Sequence, residues 1–494
     1  MNKMVSNKKV LAFDFGASSG RAMLCEFNGD TIEIEEIHRF SNDPVLVNGT
    51  MYWDVLRLFF EIKQSLLKVK GFGKIHSIGI DTWGVDFALL DKEGKIIENP
   101  VHYRDIRTEG MIEKSFEKIS KDEFYNITGN QFMNINTVFQ LLSLREKREK
   151  FLKNVDTMLL MPDLFNYLLT GVKATEISIA STTQLFDAKN RTWSNKIIES
   201  LNLPHNIFKE IVPSGHIVGN LSDEVCNELE IDRCKVIAVA GHDTQSALVS
   251  VPTLDEEFIF LSCGTWSLLG TELNEPLINE NSLKFNITNE SAYGNKVSFL
   301  KNIIGLWLVQ ESRRQWIREG KEYSFAELEE VAKSSDGFKC FIDPDNPIFV
   351  AAGNIPERIK EYCRRTGQYV PKSNGEVIRC INESLAFKYR YSLEEIKQCT
   401  KKDYKSIYMI GGGTQSKLLC QMTANASNCN VVAGPIEATV LGNAAIQLMA
   451  TGDIKDINEA RKIIKNSQQI EYYEPVEVEK WEEGYRRFKE VIKC

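Results

Sequence analysis

The sequence predicts an α/β protein of two domains, and three observations lead to this fold class. The chain has 494 residues, 43% of them hydrophobic, and one ordinary core does not extend over a chain of that length. Segments with strand and helix periodicity alternate along it, as in α/β proteins. A strand, a short glycine-containing turn and a second strand occur twice, at residues 10–27 and 258–271. We therefore expect a duplicated core with a ligand cleft between the domains.

The first half begins with three predicted strands. Residues 10–15 and 21–27 are apolar runs joined by small residues, which predicts a hairpin that residues 32–40 extend. The elements predicted after it are a helix at 53–70, a short buried strand at 75–80, a mostly helical stretch at 114–210, a strand at 236–240 and a helix at 245–251.

The best domain boundary lies at residues 252–256, where Pro252 ends the last of these helices. This predicts an N-terminal domain at 1–252 and a C-terminal domain at 253–494. Within the second domain the predicted elements are strands at 406–410 and 431–433, helices at 415–425 and 438–450, and two amphipathic helices within 457–492.

Composition narrows the classes of partner. The formal net charge is −8, with no basic stripe along the chain, so a nucleic-acid partner is not expected. No apolar stretch approaches the length of about 18–20 residues that spans a bilayer, and Asp14 interrupts the first apolar run too early for a signal peptide. We expect a cytoplasmic protein, monomeric or a small homo-oligomer, that binds small molecules and no membrane.

Cysteine usage agrees with a reducing compartment. The eleven cysteines are scattered and form no CxxC pair. Disulfides are uncommon in the cytosol, and whether Cys363 and Cys380 pair is left open.

The strongest chemical signal is a carboxylate that directly follows an apolar strand. Asp243 lies in the segment AGHDTQSA at 240–247, and such a group can take a proton from a hydroxyl. His242 is its neighbour, but adjacent strand residues point to opposite faces, so we expect His242 to contact substrate or to have no role. Gly264 and Thr265 form a turn between two apolar strands that can hold a phosphate.

A second signal is the segment DFGASSGR at 14–21, which combines a carboxylate, small residues and a guanidinium. Backbone amides in a tight turn form an anion nest, and the carboxylate can hold hydrated Mg²⁺ near phosphates. The alternative is a plain turn, and the segment is no Walker loop. The glycines at 411–413, between a strand and a helix, admit the same two interpretations.

The segment IDTWGVDF at 80–87 is the third signal. Its two carboxylates, indole and glycine suit a sugar, whose hydroxyls need acceptors and whose C–H faces pack on aromatic rings. A core tryptophan beside a turn explains the same residues equally well.

Taken in order, these segments closely resemble the FGGY family of carbohydrate kinases, in the actin and hexokinase superfamily, over nearly the whole chain. The segments that carry the resemblance are 14–21, 80–87, TTQL at 182–185, KNIIGLWLVQ at 301–310 and AGPIEA at 433–438. The resemblance implies two ribonuclease H-like domains of the actin/hexokinase type, with a nucleotide and sugar cleft between them. It implies sugar and phosphate contacts in the domain at 1–252 and nucleotide binding in the domain at 253–494. It also implies ATP and Mg²⁺ as cofactors.

The resemblance assigns roles to residues of this chain. Asp243 is the implied general base. The implied ATP-binding residues are Ala17, Ser18, Ser19, Gly20, Arg21, Thr265, Gln310 and Gly412. The implied sugar contacts are Gly84, His242, Asp243, Thr244 and Asn302, and Asp14 is expected to order Mg²⁺ through water.

Within the family, the motifs are nearest to members that act on L-rhamnulose. This implies transfer of the γ-phosphoryl group of ATP to O1 of L-rhamnulose in L-rhamnose degradation. Gly241, Cys263 and Ser291 depart from the usual pattern, which keeps another ketose open, such as L-fuculose or L-xylulose. A non-catalytic actin-like ATPase or sugar sensor is a further alternative, although such a protein does not need the base Asp243.

Overall fold

The computed structural model describes residues 7–493, which form two compact α/β units. The first unit contains the chain up to Leu254, together with Glu272–Phe299 and Ala438–Ser467. The second contains Asp255–Thr271, Leu300–Glu437 and the chain from Gln468 onward. The units are thus assembled from separate segments, and the division into domains 1–252 and 253–494 stays a prediction.

The first unit is organised around a six-stranded sheet. Its strands lie in the order His216–Asn220, Lys235–Ala238, Ser77–Thr82, Lys8–Phe15, Ser19–Phe27 and Ile32–Ser41. The predicted hairpin is confirmed, because Lys8–Phe15 pairs antiparallel with Ser19–Phe27. The strand Ser77–Thr82 runs parallel to Lys8–Phe15 and to Lys235–Ala238. The carboxyl ends of these three strands therefore meet at one edge of the sheet.

Both faces of this sheet are covered, which explains the continuous apolar runs in its strands. Leu11, Phe13 and Phe15 pack on one face with residues of the helices Val55–Lys68 and Met161–Thr170. Alternate residues, such as Val10 and Ala12, lie on the other face against Val440, Leu441 and Ala444 of the helix Ala438–Ala450. This late segment of the chain is thus part of the core of the first unit.

The stretch predicted as mostly helical contains six helices and also short strands. The helices are Lys121–Thr128, Thr137–Lys147, Glu149–Leu152, Met161–Thr170, Ile177–Ser181 and Asn195–Ser200. The strands are Thr157–Leu160, Thr175–Glu176, Phe186–Asp187 and Thr192–Trp193. The remaining elements of the first unit are the strands Val45–Val47, Thr50–Tyr52, Phe87–Leu90, Ile211–Val212 and Thr288–Ser291, and the helices Met111–Phe116, Asp223–Leu229, Asp243–Val249, Glu280–Lys284 and Ile457–Ser467.

The second unit also contains a mixed sheet. Six of its strands follow one another in the order Val297–Ile304, Trp266–Leu273, Ile259–Cys263, Ser406–Ile410, Asn430–Ala433 and Glu471–Tyr473. Its helices are Trp307–Arg318, Phe325–Lys333, Ile355–Arg365, Asn374–Thr400, Lys417–Ser427 and Val478–Val491. The predicted strand–turn–strand at 258–271 is confirmed by the antiparallel pairing of Ile259–Cys263 with Trp266–Leu273.

The longest helix, Asn374–Thr400, begins at a capping box and ends in a left-handed residue. The Ser373 side chain accepts a hydrogen bond from Glu376 N, and the Glu376 carboxylate accepts one from Ser373 N. Lys401 ends the helix with a φ of 57°. Among residues 7–493, none of the helices combines the length and apolarity that a bilayer-spanning segment needs.

Candidate active site

Two aspartates lie side by side at the carboxyl ends of neighbouring parallel strands in the first unit. Asp14 on Lys8–Phe15 is in register with Asp81 on Ser77–Thr82. Gly241 lies next to Thr82 at this edge of the sheet, because the Thr82 N–H donates to Gly241 O across 2.9 Å. The segment that carries His242 and Asp243 therefore lies beside these strand ends, where α/β proteins commonly bind ligands.

Asp14 is held by an arginine on the partner strand of the hairpin. Arg21 lies directly opposite Asp14 in the antiparallel register, and its Nη2 donates to Asp14 Oδ2 across 2.6 Å. The exposed fractions are only 12% for the Asp14 side chain and 18% for Arg21, so the ion pair is poorly screened by water. Arg21 thus fixes the position of the Asp14 carboxylate.

Three carbonyl groups of the turn between these two strands accept hydrogen bonds from within the protein. Gly16 N donates to Ser19 O across 2.9 Å, and Asn42 donates through N to Ser18 O and through Nδ2 to Gly16 O. Gly20 has no room for a side chain, because an added Cβ would lie 2.3 Å from the Phe40 ring. Carbonyl oxygens that would repel a phosphate are thus turned toward protein donors, as an anion-binding turn requires.

Asp81 is fully buried and is held from a helix that is distant in sequence. Asn443 Nδ2 donates to Asp81 Oδ2 across 2.6 Å, whereas Asp81 Oδ1 has no hydrogen-bond partner within the described structure. Burial, and then the charge of Asp14, raise the pKa of Asp81 well above its usual value, and the Asn443 bond lowers it. Asp81 therefore retains a proton to higher pH than a solvated carboxyl group.

Glu176 fixes the backbone that leads to Asp243. Its Oε2 accepts from Gly241 N across 2.9 Å and from Ser178 N and Ile179 N. Burial raises the pKa of Glu176, while these donors and Ser214 lower it. Gly241 has little room for a side chain, since an added Cβ would lie 3.0 Å from Pro162 and 3.1 Å from Glu176 Oε2.

Asp243 is the first residue of the helix Asp243–Val249, and its side chain is 30% exposed. Its Oδ1 accepts from Thr244 N across 2.6 Å. Burial raises the pKa of Asp243, and the charge of Asp14 adds to this effect, whereas His242 lowers it. A carboxylate with a raised pKa is a stronger base than one in water.

The expectation that His242 and Asp243 point to opposite faces is wrong. His242 Nε2 lies 3.5 Å from Asp243 Oδ1. The reason is that the helix begins at Asp243, with His242 as its N-cap residue, so the alternation of a strand does not apply to this pair.

His242 is also bound to a buried carboxylate. Its Nδ1 lies 2.8 Å from Glu290 Oε2, which in addition accepts from Gln245 Nε2 across 2.9 Å. Burial alone would lower the pKa of His242, but Glu290 and then Asp243 raise it to about 9. His242 is therefore an imidazolium at neutral pH, and its charge stabilises the ionised form of Asp243.

Two interpretations were open for the segment at 80–87, a sugar site or a core tryptophan beside a turn. The structure favours the core tryptophan at Trp83 and Asp86. Both indoles, Trp53 Nε1 and Trp83 Nε1, donate to Asp86 Oδ2, and Gln140 Nε2 donates to Asp86 Oδ1. Asp86 and Trp83 are 1% and 5% exposed. Burial raises the pKa of Asp86 to about 6, although these donors lower it. Asp86 thus holds two core tryptophans in place.

The second unit contains the predicted turn at Gly264 and Thr265, between the strands Ile259–Cys263 and Trp266–Leu273. The Gly264 and Thr265 carbonyls accept hydrogen bonds from Leu306 N and Trp307 N, at 2.9 and 3.1 Å. Thr265 Oγ1 donates to Gln310 Oε1 across 3.2 Å. The start of the helix Trp307–Arg318 therefore fixes the turn, and two of the predicted nucleotide-binding residues, Thr265 and Gln310, lie in contact.

The glycines at 411–413 are close to the same turn. An added Cβ at Gly413 would lie 2.2 Å from Cys263 Sγ, so this position has no room for a side chain. Gly411 has a φ of 85°, a conformation that favours glycine. Gly412 is exposed and has open space around its Cα, so a ligand can approach the backbone there.

The remaining predicted residues take these places. Ala17, Ser18 and Ser19 are half-buried in the first turn. Gly84 follows the strand Ser77–Thr82, and an added Cβ there would lie 3.3 Å from Thr182. Thr244 is buried beside Asp243 in the first unit, whereas Asn302 is half-buried on Val297–Ile304 in the second.

Sequence reasoning missed Glu176, Glu290 and Asn443, which hold the site, and interpreted Asp81 only as one of two carboxylates that suit a sugar. One signal was available for Glu290. It lies in the strand Thr288–Ser291, whose four residues are all polar and all buried. Buried polar side chains need hydrogen-bond partners. A short polar segment between apolar neighbours therefore indicates side chains that form specific hydrogen bonds inside the protein.

The donor set in the first unit fits Mg²⁺. The charge of Asp14 raises the pKa of both Asp81 and Asp243, so the three carboxyl groups are close enough to interact. Asp81 Oδ1 is a buried oxygen without a hydrogen-bond partner in the described structure. Carboxylate oxygens are the ligands that Mg²⁺ prefers, usually with several of its waters retained.

Family models match most of the chain. Residues 9–250 match the N-terminal domain and residues 259–451 the C-terminal domain of the FGGY family of carbohydrate kinases. The chain is 41% identical over 483 residues to a rhamnulokinase of Bacteroides thetaiotaomicron, covering 98% of this chain and 99% of the relative. It is 43% identical over 464 residues to a rhamnulokinase of Halalkalibacterium halodurans, covering 94% and 98%.

Solved structures show the same fold at low sequence identity. A ligand-bound xylulose kinase from Lactobacillus acidophilus superimposes with a TM-score of 0.80 at 16% identity, covering 98% of each chain. The predicted two-domain α/β fold class is thereby confirmed.

Proposed function

This chain belongs to the FGGY family of carbohydrate kinases, and we propose that it phosphorylates O1 of L-rhamnulose with ATP, giving L-rhamnulose 1-phosphate and ADP. Support for this sugar comes from relatives at about 40% identity over nearly their full length, which carry the name rhamnulokinase. The alternatives from the sequence, a sensor without catalysis or a kinase for L-fuculose or L-xylulose, have no such support.

The observation that carries the mechanism is the Asp243 carboxylate, 30% exposed and 3.5 Å from the imidazole of His242. In the proposed step, Asp243 accepts the proton of the O1 hydroxyl while O1 forms a bond to the γ-phosphorus of ATP. The bond from that phosphorus to the β,γ-bridging oxygen breaks, and ADP leaves. Phosphoryl transfer depends mainly on positioning and charge stabilisation, with one group to orient the nucleophile.

His242 keeps this base ready to act. Its positive charge lowers the pKa of Asp243 against the effect of burial, which favours the ionised carboxylate that accepts the proton. Glu290, in turn, holds His242 in its charged form. We propose that His242, Thr244, Gly84 and Asn302 contact the sugar, as the family resemblance implies.

For the nucleotide, we propose phosphate contacts from the turn at 17–21 and from Thr265, with Gln310 and Gly412 lining the nucleotide site. Asp14, beside Asp81, would hold Mg²⁺ through water. Bound with ATP, Mg²⁺ supplies neutralisation of the charge that develops on the phosphoryl oxygens. Arg21 keeps the Asp14 carboxylate in place for that contact. Cytoplasmic location, absence of a nucleic-acid partner and a monomeric or small homo-oligomeric state also remain proposals.

The test is Mg²⁺-dependent ADP release from ATP with L-rhamnulose, L-fuculose, L-xylulose, L-ribulose, D-xylulose and glycerol. We expect the highest kcat/KM with L-rhamnulose. Asp243→Asn should lose at least about 10²- to 10⁴-fold in kcat while ATP still binds. Asp30→Asn, at an exposed turn of the same unit, is the control and should retain wild-type turnover. Preference for another ketose would refute the proposed substrate, and turnover that survives Asp243→Asn would refute the proposed base.

A further inference from the structure

Three buried cysteines of the second unit come together outside the residues used above. The Sγ atoms of Cys340, Cys363 and Cys380 all lie within 4.8 Å of one another, and each residue is at most 3% exposed. All three are free thiols. We propose that this triad binds one soft metal ion of the d¹⁰ type, Cu⁺ or Zn²⁺, through three thiolates.

The three ligands come from separate elements, so the site depends on the fold. Cys363 lies on the helix Ile355–Arg365 and Cys380 on the helix Asn374–Thr400, whereas Cys340 lies in the irregular segment before them. Spacings of 23 and 17 residues do not match a sequence motif for metal binding. Only the tertiary structure reveals the triad.

The segment that carries Cys340 is fixed on both sides. Phe338 N donates to Glu383 Oε2 across 2.8 Å. Phe341 exchanges two hydrogen bonds with the Gln368 side chain, at 2.8 and 2.9 Å. Gln368 N in turn donates to Cys363 O across 2.9 Å. The positions of Cys340 and Cys363 are therefore coupled through Gln368. Because the ligands are already held in place, an ion that binds them pays little conformational entropy.

The sulfur separations suit one shared ion. Thiolates at about 2.3 Å from a metal lie roughly 3.8–4.0 Å from each other in tetrahedral or trigonal geometry, within the observed limit. Thiolates select soft cations such as Cu⁺ and Zn²⁺ over Mg²⁺ or Ca²⁺. Within residues 7–493 the group contains no fourth His, Cys, Asp or Glu ligand, so three-coordinate Cu⁺ suits it better than Zn²⁺, which prefers four ligands.

A cleft gives an ion a path to the triad. The small cleft that reaches Cys340 and Cys380 is also lined by Asp336, Lys339, Tyr369, Glu376, Arg379 and Glu383. Lys339 in this lining is ion-paired with Asp336 and Glu376, and Arg379 is ion-paired with Glu383. On binding, each thiol forms a metal–sulfur bond and releases its proton to solvent, so uptake of one ion releases up to three protons.

The experiment uses the full-length protein, reduced and metal-free, under anaerobic conditions. Cu⁺ and Zn²⁺ are each titrated against a chromophoric chelator, and bound metal per chain is measured after gel filtration. We expect one Cu⁺ per chain, held more tightly than Zn²⁺, and a rise in the melting temperature on binding. Cys363→Ser should weaken Cu⁺ binding by about 100-fold or more.

Cys399→Ser is the matched control, because Cys399 is buried on the same helix as Cys380 but outside the triad. It should bind Cu⁺ like the wild type. If Cys363→Ser does not fold, Cys340→Ser replaces it, since Cys340 is not in a helix. Failure of the reduced wild type to bind either ion at micromolar concentration, or equal binding by Cys363→Ser, would overturn the proposal. Both readouts are independent of phosphoryl transfer.

Discussion

Glu290 Oε2 lies 2.8 Å from His242 Nδ1, with Glu290 4% and His242 9% exposed. Because this carboxylate, with smaller contributions from Asp243 and Glu176, raises the pKa of His242 to about 9 against the effect of burial, the folded protein binds a proton on His242 more tightly than the unfolded chain, where the pKa is about 6.5. The stabilisation is fully present below pH 6.5 and is lost as the pH rises through 9.

Glu290→Gln should remove most of this pH dependence, because Glu290 is the largest of the groups that raise the pKa of His242. A shift from 6.5 to about 9 corresponds to a stabilisation on the order of 3 kcal/mol, so urea unfolding should show the wild type losing that stability, relative to the variant, between pH 6 and pH 9.5. His216→Gln changes an exposed histidine of the same unit and should follow the wild type. A constant difference between wild type and Glu290→Gln over that pH range would contradict the assignment.

Arg21→Met should lower the free energy of unfolding, because it removes the ion pair with Asp14. The substitution leaves a largely buried carboxylate without the 2.6 Å ion pair, and we expect a loss of about 1–3 kcal/mol in the free energy of unfolding. The double variant Asp14→Asn/Arg21→Met should recover part of it, as measured by denaturant titration. Arg39→Met removes an exposed pair with Glu36 and should cost no more than about 1 kcal/mol. Additive effects of the two changes at Asp14 and Arg21 would show that the pair contributes nothing.

Gly442→Ala should disturb the helix that Asp243 begins. An added Cβ at Gly442 would lie 1.8 Å from Ser246 O, a backbone atom of the helix Asp243–Val249. We expect about 1–3 kcal/mol of destabilisation, together with reduced turnover because Asp243 moves with its helix. Gly71→Ala is the control, since nothing lies within 4 Å of an added Cβ there. Thermal unfolding and kcat measure the two effects, and a Gly442→Ala protein with wild-type values would refute this close packing.

Gln310→Leu tests the proposed nucleotide contact. The change removes the acceptor of the Thr265 Oγ1 hydrogen bond, which is worth about 1 kcal/mol, and it removes a proposed contact to ATP. We therefore expect the KM for ATP to rise about five- to tenfold, with the KM for the ketose unchanged. Gln315→Leu, on the same helix and bound only to Glu319 and Arg318 in the contacts described, should leave both constants unchanged. An equal rise in both KM values would indicate a general distortion instead.

Local patterns explain which parts of the fold were predictable. The hairpin at 10–27 and the strand–turn–strand at 258–271 follow from apolar runs separated by small residues, and both are confirmed. The catalytic candidate Asp243 stands beside a strand end as expected, but its helix begins two residues earlier than predicted. That small difference turns His242 toward Asp243, which a strand pattern cannot show.

The supporting residues of the site could not be predicted, because their roles arise between positions far apart in the chain. Asn443 reaches Asp81 across 362 positions, and Glu290 reaches His242 across 48. The cysteine triad is of the same kind, since residues 340, 363 and 380 have no motif spacing. Single-sequence periodicity reports only nearby neighbours, so such contacts become visible only in the folded structure.

The helix Ala438–Ala450, whose Val440, Leu441 and Ala444 cover one face of the first sheet, has a consequence for synthesis on the ribosome. At about 5–20 residues per second, this helix emerges roughly ten to forty seconds after residue 254. Until then Val10, Ala12, Ile237 and Val239 lack their covering partner. A nascent first unit therefore exposes an apolar surface that chaperones can bind during that interval. A chain that ends before residue 438 has an incomplete, aggregation-prone core rather than an independent domain.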